Sequence, residues 1–430
     1  MIVAARWVIP VSGPPIRDGA VRIDDARIVE VGARDELAAA HPAEEVRDYP
    51  ACALVPGLVN AHTHLALSVL RDVVPSSRFP EWIGRTARAI KALTPDDLVA
   101  SATLGAHRAI ASGTTAVGDI VYAPETAAVA TEAGLSGAFF WEVLGVERDE
   151  LGVRLERDGY PAVSTDRDGR VRHGLSAHSP YTAGPGLISA LHALAHASET
   201  PFAIHIAESP AEDQFVRDGT GPLSDVASRT APDFEPAGVS PIRYLHGLGA
   251  LEDTIAVHCA EASVDDTHLL AEHARGVVLC PRSNAYLHVG PAPVAALDRA
   301  GVRLALGTDS LGSNSDLDLF AEARALAGIA PGLSAERIVR IMTLEGASVL
   351  GLAEGTGSLA PGAGADLALF RVPDTEDPYA ALLQNADRHA IEAVMSEGVW
   401  RVLDGQPTSP SHYLSAAVNR AAARAAAAIA

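Results

Sequence analysis

The stretch from Val55 to His64, VPGLVNAHTH, decides how the rest of the chain is interpreted. It is an apolar, strand-like run that ends in two histidines two positions apart. Side chains at positions i and i+2 of a strand point to the same side, so His62 and His64 can reach one metal ion. Two half-exposed loop histidines are the alternative, and the rest of the chain must decide between these interpretations.

Similar apolar runs recur through the middle of the chain. Between about residues 54 and 350, short β-branched runs alternate with longer Ala- and Leu-rich stretches typical of helices. Eight such units predict a (β/α)8 barrel, in which catalytic groups lie at the C-terminal ends of the strands. A doubly wound open sheet is the alternative, and it is weakened because no G-x-G-x-x-G turn follows an early strand. The candidate strands are Leu54–Ala61, Thr114–Ile120, Gly137–Val143, Arg172–Ala177, Pro201–Ile206, Thr254–His258, Gly276–Cys280 and Val302–Gly307.

Both chain ends contain strand-like runs separated by Pro, Gly and Asp turn residues. We therefore expect residues 1–53 and 355–405 to form one small β-sandwich domain, with the catalytic barrel over residues 54–354. Residues 406–430 are rich in alanine, which favours a terminal helix or a frayed tail without an assigned function.

The composition excludes several classes of function. The 430 residues include 33 basic and 54 acidic ones, and the net charge of −21 argues against nucleic-acid or anionic-membrane partners. Three cysteines without a CxxC pair argue against a disulfide framework and against a Cys-rich zinc site. The N-terminus lacks the features of a secretory signal, and no run of about 18 apolar residues predicts a membrane span. We expect a cytoplasmic protein that acts on a small molecule.

Further candidate ligands and acid–base groups stand where other predicted strands end. His205 lies at the end of the fifth strand with Glu208 three positions later, His258 ends the sixth, and Asp309 follows the eighth. Imidazole and carboxylate groups suit zinc or ferrous iron. Each residue alone has another explanation, such as a buried core histidine or, for Asp309, a helix N-cap. Their recurrence at strand ends favours one metal site.

Taken together, these motifs resemble those of the amidohydrolase superfamily over about residues 1–405. The resemblance implies a (β/α)8 barrel with a small β-sandwich built from both chain ends. It rests on VPGLVNAHTH, His205-x-x-Glu208, His258, Gly307-Thr308-Asp309 and the segment GAGADL at residues 362–367.

The number of metal ions depends on the fourth strand. Two-metal members of the superfamily bridge their ions with a carboxylated lysine or a glutamate from that strand. Here the fourth strand ends in Ala177-His178-Ser179, and the only lysine, Lys91, lies in a predicted helix. We therefore expect one divalent metal, Zn²⁺ first and Fe²⁺ as the alternative. The ligands that the resemblance implies are His62, His64, His205 and Asp309.

The resemblance also implies catalytic roles in a hydrolytic deamination. Glu208 would carry a proton from water to the substrate, although a helix first-turn acid is the structural alternative. His258 would hydrogen-bond the attacking water or the developing oxyanion, and Asp309 would also accept a proton. Chlorohydrolase relatives that act on triazines can lack this glutamate, so its presence favours loss of an amine.

Three further residues bear on the substrate. Glu81 resembles a glutamate that binds ribose hydroxyls in adenosine-type deaminases, and a helix-terminal acid is the alternative. His178 resembles a substrate-contacting histidine, which could instead support another group. Arg282 could bind a substrate carboxylate or form a loop salt bridge.

The closest resemblance is to deaminases that act on the adenine ring of 5′-substituted nucleosides. The CPRSN and HSPYT segments favour 6-aminodeoxyfutalosine, an intermediate of menaquinone biosynthesis. The alternatives are S-adenosylhomocysteine or methylthioadenosine, and then guanine, 8-oxoguanine or a triazine chlorohydrolase substrate. A non-enzymatic scaffold would show broken motifs, and no strand-end group is missing. We also expect a homodimer.

Overall fold

Two eight-stranded sheets organise the chain in a computed structural model that describes residues 1–145, 151–157, 159–160, 169–409 and 415–430. The strands are β1 Ile2–Val8, β2 Ile16–Asp24, β3 Arg27–Ala33, β4 Val46–Pro56, β5 Leu58–Thr63, β6 Thr114–Val121, β7 Ser136–Val143, β8 Val171–Ala177, β9 Phe202–Ile206, β10 Thr254–His258, β11 Gly276–Leu279, β12 Leu304–Leu306, β13 Leu367–Arg371, β14 Ile391–Ser396, β15 Val399–Leu403 and β16 Gln406–Pro407.

Helices connect most of these strands. The α-helices are α1 Arg34–Ala40, α2 Phe79–Ala92, α3 Pro95–Ile110, α4 Pro124–Ala133, α5 Leu151–Arg157, α6 Pro185–Ala197, α7 Pro210–Asp218, α8 Ser224–Thr230, α9 Pro241–Gly247, α10 Val264–His273, α11 Pro281–Tyr286, α12 Val294–Arg299, α13 Leu319–Ile329, α14 Ala335–Arg340, α15 Gly346–Leu350, α16 Pro378–Asn385 and α17 Ser415–Ile429. A 3₁₀ helix spans Leu65–Leu70, and a π-helical turn spans Ile341–Glu345.

The barrel is formed by β5 to β12, which pair in parallel and in chain order. The first and last strands meet where the backbone N–H of Asp309 donates to the carbonyl of His62 at 3.0 Å. A parallel bridge between Thr63 and Asp309 lies at the same point. The predicted fold class, a barrel with an additional β domain from both chain ends, is confirmed.

The second sheet joins the chain ends in the order β16-β15-β14-β13-β4-β1-β2-β3. The single predicted strand Leu54–Ala61 is therefore two strands, because β4 ends at Pro56 and β5 begins at Leu58. Gly57 separates them, and a Cβ on Gly57 would lie only 1.9 Å from Thr115 Oγ1. The predicted domain boundaries at residues 53 and 354 stay a prediction.

The side chains of β7 point alternately into the barrel interior and toward the surrounding layer of helices. Ala138 and Phe140 belong to the cluster that fills the barrel, whereas Phe139 and Trp141 pack with the surrounding helices. Successive strand side chains point to opposite faces. Glu142, two positions after Phe140, therefore points into the barrel at its C-terminal end.

The alanine-rich C-terminus forms α17, which packs against α2 and α3. Ala421 and Ala425 are buried in this contact, and Arg424 Nε lies 3.2 Å from Asp97 Oδ2 on α3. Small side chains let α17 approach closely, so the segment supports α2 from outside. Within the described residues, no helix is both long and apolar enough to cross a membrane.

Replacing Gly137 by Ala is expected to destabilise the barrel severely. Gly137 has φ +141°, and an added Cβ would lie 1.9 Å from the carbonyl oxygen of Val117 on β6. Backbone strain and steric overlap together should lower the free energy of unfolding by about 3 kcal/mol or more. Gly84→Ala in α2 is the control, because its Cβ would meet no atom within 4 Å. Urea unfolding should show Gly84→Ala to be stabilising by about 0.5–1 kcal/mol; equal stability of the two variants would contradict the packing argument.

Candidate active site

Three histidines and one aspartate converge at the C-terminal end of the barrel. Nε2 of His62 lies 3.2 Å from Nε2 of His64 and 3.2 Å from Nε2 of His205. Oδ1 of Asp309 lies 3.5 Å from His62 Nε2 and 3.4 Å from His64 Nε2. Zinc with ligands at 2.0–2.1 Å in a tetrahedron separates its ligand atoms by roughly 3.3 Å. The structure thus brings together the four predicted ligands with the spacing and donor chemistry of one divalent ion.

The surrounding fold orients the histidine rings. Nδ1 of His205 lies 2.9 Å from the carbonyl oxygen of His178, an acceptor that fixes the proton on Nδ1 and leaves the Nε2 lone pair for the cluster. Nδ1 of His64 lies 3.2 Å from the hydroxyl of Tyr122. Burial lowers the pKa of His64 to about 3, so its imidazole is neutral and able to act as a ligand.

Asp309 is fixed by two hydroxyls that the sequence did not predict. Its Oδ2 accepts hydrogen bonds from Ser283 Oγ at 2.6 Å and from Ser313 Oγ at 2.8 Å, which directs Oδ1 toward the histidines. Its backbone has φ +59°, just after β12. Burial raises the pKa of Asp309, but the hydrogen bond to His62 and the nearby imidazoles outweigh burial and hold the pKa well below its usual range.

Glu208 turns back toward the cluster just after β9. Ala207 has φ +51°, and the carboxylate of Glu212 accepts the backbone N–H groups of Ala207 at 2.9 Å and of Glu208 at 2.8 Å. Oε1 of Glu208 lies 3.5 Å from Nε2 of His258. The pKa of Glu208 is raised well above its usual value, mainly by burial and secondly by the charge of Asp309. Glu212, which the sequence analysis missed, fixes this loop.

His258 is buried beside Glu208 with one ring nitrogen directed into the site. Its Nδ1 lies 3.1 Å from Asn284 Oδ1, whereas Nε2 has no hydrogen-bond partner among the described residues. Burial lowers the pKa of His258 to about 4. A neutral ring with its proton on Nδ1 presents Nε2 as a hydrogen-bond acceptor.

An inner cavity adjoins the cluster, and α2 supplies its apolar wall. Trp82 Nε1 donates to the carbonyl of Gly312 at 2.9 Å, which ties this wall to the loop after β12. Apolar walls with a few polar groups are typical of sites for flat organic ligands. The lining residues are His64, Leu67, Phe79, Trp82, Ile83, Thr86, Ile90, Tyr122, His178, Tyr181, His205, Glu208, His258, Asp309 and Ser310.

The three predicted substrate residues have different positions. His178 lines the inner cavity, and its Nδ1 lies 2.6 Å from Thr182 Oγ1. Glu81 is exposed and lines an outer cavity of about 850 Å³ that shares Phe79 with the inner one. Arg282 does not line either cavity, and its guanidinium lies 2.6 Å from Asp316 Oδ1, as in the predicted loop salt bridge. A substrate contact for each of the three stays a prediction.

The chain belongs to the amidohydrolase family, whose model matches residues 53–401. The protein is therefore an amidohydrolase enzyme. A 5-methylthioadenosine/S-adenosylhomocysteine deaminase from Moorella thermoacetica is 30% identical over 426 residues, covering 93% of this chain and 95% of that protein.

Solved structures support the same fold. An adenosine deaminase from Xanthomonas campestris with bound zinc has a TM-score of 0.84 at 27% identity, over 99% of this chain and 98% of that one. The aminofutalosine deaminase from Helicobacter pylori has a TM-score of 0.79 at 21% identity, over 93% and 100% of the two chains. The similarity to the aminofutalosine deaminase supports the fold alone.

Proposed function

We propose that the protein is a metal-dependent hydrolytic deaminase that acts on the adenine ring of a 5′-substituted nucleoside. The observation that carries this proposal is the pair Glu208 and His258, whose side chains meet at 3.5 Å beside the His-His-His-Asp cluster. A hydrolase that replaces a ring amine by oxygen needs activated water and a group that moves protons. The cluster with a bound metal and Glu208 would meet these two requirements at one end of this barrel.

The proton transfers follow from the states of these side chains. A divalent metal, zinc or iron, held by the cluster would supply Lewis-acid activation of water. Glu208 takes a proton from the water at its carboxylate and delivers it to the ring nitrogen beside the attacked carbon. Its raised pKa suits it to hold that proton. His258, as an acceptor at Nε2, orients the water through one of its O–H groups. The second proton of that water passes from the new hydroxyl group to the amine, which leaves as ammonia while the oxygen stays on the ring carbon as a carbonyl.

The cavities favour a nucleoside substrate with a 5′ substituent. The apolar wall from α2 suits a purine ring, and the outer cavity of about 850 Å³ offers room beyond it. Glu81 at the outer cavity would accept two ribose hydroxyls, and His178 would contact the base. Arg282 is occupied by Asp316 and is a poor partner for a substrate carboxylate.

Three nucleosides remain as substrate candidates, and the relatives favour methylthioadenosine and S-adenosylhomocysteine over 6-aminodeoxyfutalosine. The CPRSN and HSPYT segments favour 6-aminodeoxyfutalosine, but this chain is only 21% identical to the aminofutalosine deaminase of similar fold. The Moorella thermoacetica relative, which is 30% identical, is named for methylthioadenosine and S-adenosylhomocysteine. We therefore place these two nucleosides first and 6-aminodeoxyfutalosine, with a role in menaquinone biosynthesis, second.

A substrate panel tests this proposal. We expect ammonia release with the highest kcat/KM on a 5′-substituted adenine nucleoside when the zinc-loaded protein is offered methylthioadenosine, S-adenosylhomocysteine, 6-aminodeoxyfutalosine, adenosine, guanine and 8-oxoguanine. The control is a chlorinated triazine, assayed for chloride release. Preference for guanine over every nucleoside, or for the triazine over every amine, would reject the proposed substrate class.

A further inference from the structure

One arginine beside the proposed substrate path is not held by an acidic side chain. Arg78 directly precedes α2, is exposed, and lines the outer cavity of about 850 Å³. Its guanidinium has no ion pair or hydrogen bond among the described residues. By contrast, Arg217 on α7 is held by Asp213 at 2.8 Å, and Arg282 is held by Asp316 at 2.6 Å. Arg78 is therefore free to bind a ligand.

The outer cavity continues the inner one at two points. Phe79, the neighbour of Arg78, lines both cavities. Glu208 lines the inner cavity, and the next residue, Ser209, lines the outer one. A ligand whose ring lies beside Glu208 can therefore extend past Phe79 and Ser209 into the outer cavity, toward Arg78.

The backbone that carries Arg78 is fixed by contacts with α11 and α2. Ser76 Oγ donates to the carbonyl of Tyr286 at 2.6 Å, and the Tyr286 hydroxyl donates to the carbonyl of Val74 at 2.8 Å. The carbonyl of Arg78 accepts the backbone N–H of Trp82 at 3.1 Å. A fixed backbone holds the base of the side chain at the cavity, which reduces the entropy that is lost when a ligand binds.

The charges at the outer cavity favour a carboxylate. Among the described residues that line it, Arg78 and Glu81 are charged and His288 is titratable. Glu81 is assigned to ribose hydroxyls in the proposed function, which leaves Arg78 for the end of the 5′ substituent. The net charge of −21 repels an anion at long range, so a carboxylate needs a local cation. A guanidinium meets this need because it can bind both carboxylate oxygens in parallel.

We infer that the outer cavity selects nucleosides whose 5′ substituent ends in a carboxylate, and that Arg78 binds this group. S-adenosylhomocysteine ends in an amino-acid carboxylate and 6-aminodeoxyfutalosine in a benzoate, whereas methylthioadenosine ends in a methyl group. Of the two nucleosides placed first above, S-adenosylhomocysteine is therefore the better substrate. The inference rests on the proposed function and narrows its substrate class.

The test compares S-adenosylhomocysteine with its decarboxylated form, which keeps the thioether chain and the amine. The zinc-loaded wild type should have a kcat/KM about 10-fold higher on S-adenosylhomocysteine, the effect of one charge-assisted contact. Arg78→Met should lower this ratio about 10-fold. The loss should be in KM, because Arg78 binds a group away from the reacting ring carbon. Arg78→Lys keeps the charge without the planar fork and should retain part of the ratio.

Arg88→Met is the matched control. Arg88 is also exposed on α2, but it lines neither cavity. The substitution removes the same charge from the same helix, so it reports any effect of net charge alone, and its ratio should equal that of the wild type. Added salt should lower the ratio in the wild type and in Arg88→Met, because it screens an exposed ion pair, and should leave the ratio in Arg78→Met unchanged.

Three results would overturn the inference. They are equal kcat/KM of the wild type on the two compounds, a wild-type ratio in Arg78→Met, and an equal fall on both compounds in that variant. In each of them the protein still deaminates an adenine nucleoside, so the proposed function would stand. Ammonia release from none of the nucleosides would instead reject the proposed function, and the inference with it.

Discussion

Glu208→Gln is expected to lower kcat by about 10²–10⁴-fold, the usual contribution of a positioned general acid–base group. Glutamine occupies the same space and keeps one oxygen near His258, but it cannot take a proton from water and pass it on. The variant should retain stoichiometric metal, because Glu208 contacts His258 and none of the four proposed ligands. Ammonia release under saturating nucleoside and metal analysis of the same sample measure both expectations.

The control for Glu208→Gln replaces a neighbouring acidic residue that lies outside the cavity. Glu261 lies in the loop after β10, and its backbone N–H donates to the carbonyl of Ala207 at 2.8 Å. Its side chain does not line the inner cavity. Glu261→Gln should therefore turn over at the wild-type rate. If Glu208→Gln kept that rate as well, Glu208 would not take part in proton transfer.

The sequence was sufficient to predict the barrel and the converging side chains for a simple reason. Parallel strands end at one edge of a barrel, so histidines at strand ends meet without any knowledge of side-chain contacts. The error at the first strand has an equally simple cause. The apolar run around Gly57 looks continuous, and only the pairing of β4 with β13 and of β5 with β6 shows that it divides between two sheets.

Contacts distant in sequence account for what could not be predicted. Arg282 forms its ion pair with Asp316, 34 positions later, and Asp309 is fixed by Ser283, 26 positions earlier. Glu142 follows the aromatic run FFW and looks like an ordinary strand residue until the barrel closes around it. Such pairings depend on tertiary structure that local periodicity does not encode.

Metal removal is expected to lower ammonia release by at least about 10³-fold, because Lewis-acid stabilisation by a catalytic metal contributes several kcal/mol. Among the described residues, none at the cluster offers a second source of that stabilisation, because burial lowers the pKa of His64 and Nε2 of His62 lies 3.2 Å from Nε2 of both His64 and His205. Dialysis against a chelator should abolish turnover, and zinc or ferrous iron should restore it.

Replacing a ligand should have the same effect irreversibly. His64→Ala removes one of the four converging donors and should prevent reconstitution by either metal. His107→Ala on α3 is the control, because His107 lines a separate cavity away from the cluster. Metal content by elemental analysis and ammonia release together separate loss of binding from loss of folding. Wild-type turnover by metal-free protein would show that these four side chains do not form a catalytic metal site, because three imidazoles and one carboxylate cannot by themselves polarise water to the same extent.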